Sequence, residues 1–407
     1  MLAALENGVR GGKWHSLTDK VYALPNLSAA WTEVKANGGA AGVDHQTIEH
    51  YERDLDANLA KLAGQVRDGS YVPQAIRRVW IPKPGSREDR PLGIPTVRDR
   101  VVQTALRNVL EPIFEVEFAA RSYGFRPGRG CQDALRRVEQ LLDAGYTFIV
   151  DADLKSYFDT IPHAAMRARM ETKIADGRVL ALLDAFLQQE VMSTLGATTP
   201  EAGTPQGAVI SPLLSNIYLD PLDQLMAAQG WEMVRYADDF VILCRSQAEA
   251  EQALRVVREW TAQAGLTLHP EKTRVVDATQ KGGFDFLGYH FERGYKWPRA
   301  KSTQKLKDRV RAITKRTNGQ SLRVIIAQLN LTLRGWYEYF KHSHPTTWSR
   351  LDKWLRMRLR SLLRRRCHRQ GRGRGADHQR WPNAYFKAQG LFNFGAAAAS
   401  KGQSSSR

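Results

Sequence analysis

The chain has 407 residues, of which 43% are hydrophobic, 9% aromatic and 25% charged. It is long enough for two or three cored domains and too apolar for an unfolded polymer, which excludes both a small cross-linked scaffold and a disordered linker. Sixty Lys and Arg face 42 Asp and Glu, and the net charge of +18 calls for a polyanionic partner, either nucleic acid or an anionic membrane surface.

Residues 301–380 carry 22 Lys/Arg against four acids, so the entire surplus lies in one fifth of the chain. A basic module behind a neutral body fits a protein in which one part supplies chemistry and another grips a phosphate backbone. Trp336, Tyr337, Tyr339, Phe340, Trp348 and Trp354 are interleaved with those cations, which favours RNA, whose unstacked bases lie on aromatic faces. Cys131, Cys244 and Cys367 are too far apart for a disulfide framework or a Cys-pair zinc site. No apolar run reaches about 18 residues and no secretory pattern opens the chain, so a cytoplasmic protein with no membrane span is expected.

In chain order, residues 28–64 read as helices broken at Asn37-Gly38-Gly39-Ala40-Ala41-Gly42, where glycine permits positive φ. Two β runs around Pro84-Gly85-Ser86 predict a hairpin between Arg77 and Pro95. Apolar residues at 101, 102, 105, 106, 109, 110 and 113 predict a helix with Pro112 as a possible kink. Thr147-Phe148-Ile149-Val150 runs as a strand into Asp151-Ala152-Asp153. Ser211-Pro212 reads as a cap and first turn of a helix through Leu219. Two further β runs, 233–237 and 240–244, flank Asp238-Asp239, which places those acids at a hairpin tip. A helix over 248–264 with Gly265 as its cap follows. Leu351, Trp354, Leu355, Leu359, Leu362 and Leu363 mark one face of a helix that also carries Lys353, Arg356, Arg358, Arg360 and Arg364. Residues 366–380 read as flexible and the tail from Gly395 as disordered.

Asp153 at a strand end and Asp238-Asp239 at a hairpin tip converge if their strands are neighbours. Two carboxylates about 4 Å apart repel by roughly 4 kcal/mol at an effective dielectric near 20, so such a cluster calls for a cation or a shared proton. Oxygen ligands favour Mg²⁺, and two such ions suit phosphoryl transfer. Taken alone, an Asp-Asp pair in a tight turn is more often a turn cap than a metal site.

Tyr236-Ala237-Asp238-Asp239 resembles the signature of reverse transcriptases, and four further blocks accompany it. These are Arg90-Pro91-Leu92-Gly93-Ile94-Pro95, Ser122-Tyr123-Gly124-Phe125-Arg126-Pro127-Gly128-Arg129, Asp153-Leu154-Lys155-Ser156-Tyr157-Phe158-Asp159 and Gly203-Thr204-Pro205-Gln206-Gly207. In that order they resemble group II intron reverse transcriptase/maturase proteins over about residues 28–394. The resemblance implies an α+β fold, with the fingers and palm of a right-hand polymerase followed by an α-helical basic thumb, maturase domain X. It implies an N-terminal extension at 1–27, fingers at 28–145, palm at 146–299, thumb at 300–370, and a basic segment with a disordered tail at 371–407.

For the site, the resemblance implies that Asp153, Asp238 and Asp239, assisted by the Leu154 carbonyl, hold two Mg²⁺ ions. Lys83 and Arg90 would contact the triphosphate of a dNTP, Phe158 would exclude a 2′-OH, Gln206 and Gly207 would pack on template and nucleotide, and Lys272 would assist the leaving pyrophosphate. Phe286-Leu287-Gly288 resembles a primer grip. Arg334, Trp336 and Tyr337, with Lys353, Arg356, Arg358, Arg360 and Arg364, would bind RNA. Read without the family, Phe158 is a core aromatic and Lys83, Arg90 and Lys272 are solvated surface charges. The implied function is RNA-directed DNA synthesis with binding of the parent group II intron RNA, promoting splicing and target-primed mobility. The implied partners are intron RNA, target and primer DNA and dNTPs, with no membrane, in a bacterial cytoplasm and at the nucleoid during mobility. No Cys pairs follow the thumb, so no zinc-bound nuclease is expected, and synthesis would start from an existing DNA end. Two alternatives stand beside this reading. One is a splicing factor without polymerase activity, which predicts loss of the acids. The other is the polymerase of a retron, diversity-generating or CRISPR-linked system, which predicts no domain X.

Overall fold

The helical spacing of the N-terminal third becomes, in the computed structural model, α1 (Thr18–Tyr22), α2 (Leu24–Asn37), α3 (Ile48–Arg53) and α4 (Leu55–Asp68). The structure describes residues 12–82, 89–193 and 196–402, and the chain divides into two compact units, Met1–Asp277 and Ala278–Arg407. α2 ends where Gly38 and Gly39 take φ of +64° and +108°, as the sequence anticipates.

β1 (Ile76–Pro82) and β2 (Asp89–Ile94) form the expected hairpin, with Arg77 opposite Ile94 and Pro82 opposite Asp89. Lys83 lies outside the described residues. Arg90 pairs with Ile81 in the ladder, but its side chain is not described. α5 (Val97–Glu115) starts at a Thr96 cap and runs through Pro112. Its buried Arg100 donates to the carbonyls of Gly38, Ala40 and Pro95, tying the glycine turn to this helix.

The chain continues through α6 (Cys131–Asp143), β3 (Phe148–Asp153), α7 (Tyr157–Thr160), α8 (His163–Glu171) and α9 (Gly177–Leu187). β4 (Val191–Ser193) and β5 (Gly196–Thr198) then extend the hairpin into a sheet of order β2-β1-β4-β5. α10 (Ser211–Ala228) is longer than expected. Ser211 is its first residue and not its cap, and the helix passes Pro221 because Leu222 and Met226 continue the buried stripe. β6 (Glu232–Tyr236), β7 (Asp239–Cys244), α11 (Gln247–Gln263) and β8 (Arg274–Asp277) complete this unit.

The second sheet has order β6-β7-β3-β8 and is antiparallel throughout. α11 packs on β3, β7 and β8, and α6 and α10 pack on β6. Five consecutive residues of β7, Phe240 to Cys244, are fully buried, the pattern of a strand covered on both faces. Burial pushes the Cys244 thiol pKa up to about 12, leaving it an inert core residue.

The second unit opens with a meander of β9 (Phe284–Phe286), β10 (Tyr289–Glu292) and β11 (Tyr295–Pro298). α12 (Ala300–Ile313), α13 (Leu322–Phe340), α14 (Thr346–Arg366), α15 (Ala376–Arg380), α16 (Asn383–Ala388) and α17 (Phe394–Gly402) follow. The expected disorder from Gly395 is corrected over residues 395–402, which are helical, while residues 403–407 lie outside the described residues. Phe394 is buried against Trp348, the Asp352 carboxylate accepts from the Phe394 and Gly395 N–H groups, and the alanine run favours helix. Among the described residues no helix is long and apolar enough to cross a membrane.

Candidate active site

The condition for converging acids is met. β3 and β7 are neighbours, and Asp153 faces Asp239 across the last rung of their ladder. The β6–β7 hairpin closes on Ala237-Asp238, with Tyr236 opposite Asp239, so all three acids gather at one end of the sheet. Ala237 has φ +59°, the positive value that a type II′ turn takes at its first tip residue. Asp239 is exposed, while Asp153 and Asp238 are half-buried.

Like charges opposite one another destabilise a ladder, and a lysine meets that repulsion. Lys272 Nζ lies 2.6 Å from Asp153 Oδ2. Its loop is docked by two backbone bonds, His269 N–H to the Asp153 carbonyl at 2.7 Å and Lys155 N–H to the Thr267 carbonyl at 2.8 Å. Leu154 bridges to Leu268 between them. Among the described residues no three His, Cys, Asp or Glu side chains close into a cation-binding cluster. The donor set nevertheless fits a hard cation, being all carboxylate oxygen presented from paired strands.

Residues that the sequence reading passed over hold the tip in place. Arg235 is 0% exposed, its Nε donating to Asp223 Oδ1 at 2.8 Å and its Nη1 to Asn216 Oδ1 at 3.0 Å and the Ala237 carbonyl at 2.9 Å. Burial works against its charge, but the Asp223 carboxylate more than offsets this and the guanidinium pKa is raised. Asn216 and Asp223 are seven apart on α10 and so share a face. Asn216 Nδ2 also donates to the Gly124 carbonyl, and a Cβ on Gly124 would lie 2.3 Å from the Ala237 nitrogen. The available signal was an arginine directly after the apolar pair Met233-Val234 in a β run. Burial and then the Cys131 thiol push the Tyr236 hydroxyl pKa up to about 12, so it stays neutral.

Phe158 stands on α7, edge-on to Tyr157 at 5.3 Å, and lines an open cleft of about 360 Å³ with Arg78, Pro91, Gly93, Thr204 and Gln206. The three acids are not on its wall. The loop from Gly203 is clamped from three sides. Thr204 N–H donates to the Phe158 carbonyl at 2.6 Å, Gly93 N–H to the Gln206 carbonyl at 2.6 Å, and Val209 N–H to Gln103 Oε1 at 2.8 Å. Gly207 has φ +107°, and a Cβ there would lie 2.4 Å from the Gly93 oxygen, so only glycine lets loop and strand meet.

In the second unit, Leu287 and Gly288 form the two-residue tip of β9–β10, with φ of +45° and +82° and Phe286 opposite Tyr289, a type I′ pattern. Both tip carbonyls are capped, Leu287 by the Tyr339 hydroxyl at 2.7 Å and Gly288 by Arg299 N–H at 2.9 Å.

The expected RNA-binding residues divide. Arg334 and Lys353 are exposed and Arg356 is half-buried. Arg360 is 4% exposed, donating to the Trp381 carbonyl and to Asn383 Oδ1. Arg358 donates to the Thr314 carbonyl and Arg364 pairs with Asp377. Tyr337 is 3% exposed, and Trp336 and Tyr337 pack with Trp348 and Phe394. The interleaved aromatics are therefore mainly a core and not a stacking platform. Arg360 is corrected from phosphate ligand to internal tie, because a buried guanidinium needs its partners inside.

Residues 81–291 match the family model "Reverse transcriptase (RNA-dependent DNA polymerase)" and residues 303–381 match "Group II intron, maturase-specific domain". Protein YkfC of Escherichia coli (strain K12) is 33% identical over 291 residues, covering 62% of this chain and 76% of that protein. Group II intron-encoded protein LtrA of Lactococcus lactis subsp. cremoris is 36% identical over 199 residues, 48% of this chain and 33% of LtrA. Among solved structures, a chain titled "Partial Cas6-RT-Cas1--Cas2 complex" is 26% identical with a TM-score of 0.39, covering 61% of this chain and 42% of that one. With two adjoining family models spanning polymerase and maturase regions, the chain belongs to the group II intron reverse transcriptase/maturase family.

Proposed function

We propose that this protein copies its parent group II intron RNA into DNA, extending a target-DNA primer with dNTPs, and that the same chain binds that RNA to promote its splicing and mobility. The observation that carries the reading is Asp153 facing Asp239 with Asp238 at the adjoining tip. Asp153, Asp238 and Asp239, with the Leu154 carbonyl, would hold two Mg²⁺ ions, which when bound supply charge neutralisation for phosphoryl transfer. Phe158 would close the sugar edge of the nucleotide pocket, and Gln206 and Gly207 would support template and nucleotide. Lys83 and Arg90 are assigned to the triphosphate. Lys272, which pairs with Asp153, would give a proton to the leaving pyrophosphate. Phe286, Leu287 and Gly288 would hold the primer end. Arg334, Lys353 and Arg356 would contact RNA phosphates, supported by the charge of the second unit, 29 Lys/Arg against six acids.

The test is primer extension on an RNA template with wild type and Asp239→Ala, alongside binding of intron RNA. The expected result is extension by wild type, none by the variant, and equal RNA binding. Extension by Asp239→Ala would remove the assignment of the acids.

A further inference from the structure

Arg235 immediately precedes the acidic hairpin tip, yet it reaches no surface from which it could touch a substrate. Its side-chain hydrogen bonds are internal, running to Asp223 and Asn216 of α10 and to the carbonyl of Ala237, the residue before Asp238. The backbone around it is pinned as well. Arg235 N–H donates to the Arg121 carbonyl at 3.1 Å, and Tyr123 N–H donates to the Arg235 carbonyl at 2.9 Å. Asn216 bridges the guanidinium to the Gly124 carbonyl, and Gly124 packs directly against the Ala237 nitrogen. The tip is thus fixed from below by an arginine and from one side by a glycine backbone.

A hairpin tip needs no such apparatus in order to fold, because a two-residue turn is specified locally. A buried ion pair is also a weak source of net stability, since its desolvation cost rivals its Coulomb gain. What the arrangement does provide is a single position for Ala237, although its φ of +59° is unfavourable for a residue with a Cβ. We propose that Arg235, through Asp223, Asn216 and the Ala237 carbonyl, is a positioning residue that sets where Asp238 and Asp239 stand relative to Asp153. The role rests on the polymerase reading above. It also explains why Gly124 lacks a side chain, because a methyl there would push the tip from its seat.

The experiment uses the full chain with Arg235→Lys, Asn216→Ala and Gly124→Ala. Single-nucleotide extension gives kcat, the KM for dNTP and the Mg²⁺ concentration at half-maximal rate. Fluorescence anisotropy gives primer–template affinity, and circular dichroism gives the melting temperature. Displacing a reacting group by about 1 Å costs on the order of a hundredfold in rate. Gly124→Ala should accordingly lose about a hundredfold in kcat and Asn216→Ala about tenfold. Both should need several-fold more Mg²⁺, while KM for dNTP and primer–template affinity stay within about twofold. Arg235→Lys breaks a buried pair and can unfold the chain. Asn216→Ala and Gly124→Ala leave that pair intact and decide the matter.

Folded variants with wild-type kcat and Mg²⁺ dependence would overturn the proposal. So would a loss of activity that follows only the folded fraction, with Mg²⁺ dependence unchanged, since that is what a purely structural role predicts. Failure of the wild type itself to extend a primer would overturn the polymerase reading and this role with it, a result distinguishable from the other two.

Discussion

Lys272 and Asp153 form an ion pair, Nζ to Oδ2 at 2.6 Å, between side chains that are 60% and 38% exposed. Solvent screening leaves a pair this open worth less than about 1 kcal/mol, so its significance is where it puts an ammonium group. That group lies beside one of three acids and carries a transferable proton. Lys272→Ala should change unfolding free energy by less than about 0.5 kcal/mol and lower kcat for extension by about a hundredfold, the contribution of a positioned general acid. An unchanged kcat at saturating dNTP would leave Lys272 as a counterion only.

Phe158 is fixed from two sides, its carbonyl accepting from Thr204 and its ring meeting Tyr157. It is partly buried against the core and faces a cleft shared with the β1–β2 sheet, so truncation enlarges that pocket. Phe158→Ala should raise ribonucleotide incorporation relative to dNTP by about one to two orders of magnitude, the range available to a steric pocket. Competing NTP and dNTP in one extension reaction measures the ratio. An unaltered ratio would return Phe158 to a packing role.

The arginines of α14 separate by burial, and their variants should separate likewise. Arg360→Met leaves the Trp381 carbonyl and Asn383 without a donor, and should destabilise the second unit by about 1–3 kcal/mol. Lys353→Ala and Arg334→Ala remove exposed charges and should be stable within about 0.5 kcal/mol. Each should reduce the slope of log affinity for RNA against log salt by about 0.7 to 1. A full slope in both would move the RNA grip off this face.

The palm was legible because its strands are dense β runs that end in acids, and because Gly265, with φ +69°, marks the stop of α11. Strands β4 and β5 were not, since three residues are too few to show alternation. Periodicity identifies the buried face of α14 but does not tell which arginine beside that face turns inward. Arg360 is fixed by Trp381 and Asn383, more than 20 residues away. The Arg235 network depends in the same way on Gly124, Asn216 and Asp223, which come together only when β6 and α10 pack. Its chemistry was in plain view while its partners were not. Over residues 395–402 low complexity does not bring disorder, because one buried phenylalanine and an aspartate cap dock the start of α17.

Asp176 shows how the N-terminal segment is held and how acid should release it. Its carboxylate accepts from Leu17 N–H at 2.7 Å, from Thr18 N–H at 2.8 Å and from the Thr18 hydroxyl, while also capping α9 through Arg178 and Val179. Burial alone would raise its pKa, but the Leu17 and Thr18 N–H groups outweigh that and hold it below the usual aspartate value of 3.8. A carboxyl whose folded-state pKa is depressed contributes stability that is present above its unfolded value and lost as pH falls through the folded one. The contribution should therefore be complete above about pH 5 and be lost progressively below about pH 4, as pH falls through the folded-state value. Asp176→Asn should cost roughly 2 kcal/mol at pH 7, the scale of hydrogen bonds to a charged acceptor, and amide exchange at Leu17 and Thr18 should accelerate. Urea unfolding of wild type and variant at pH 7, 5 and 3 checks the sign. The difference between them should hold from pH 7 to pH 5 and shrink at pH 3, and a difference that persisted undiminished at pH 3 would show that the carboxylate charge is not what fastens the segment.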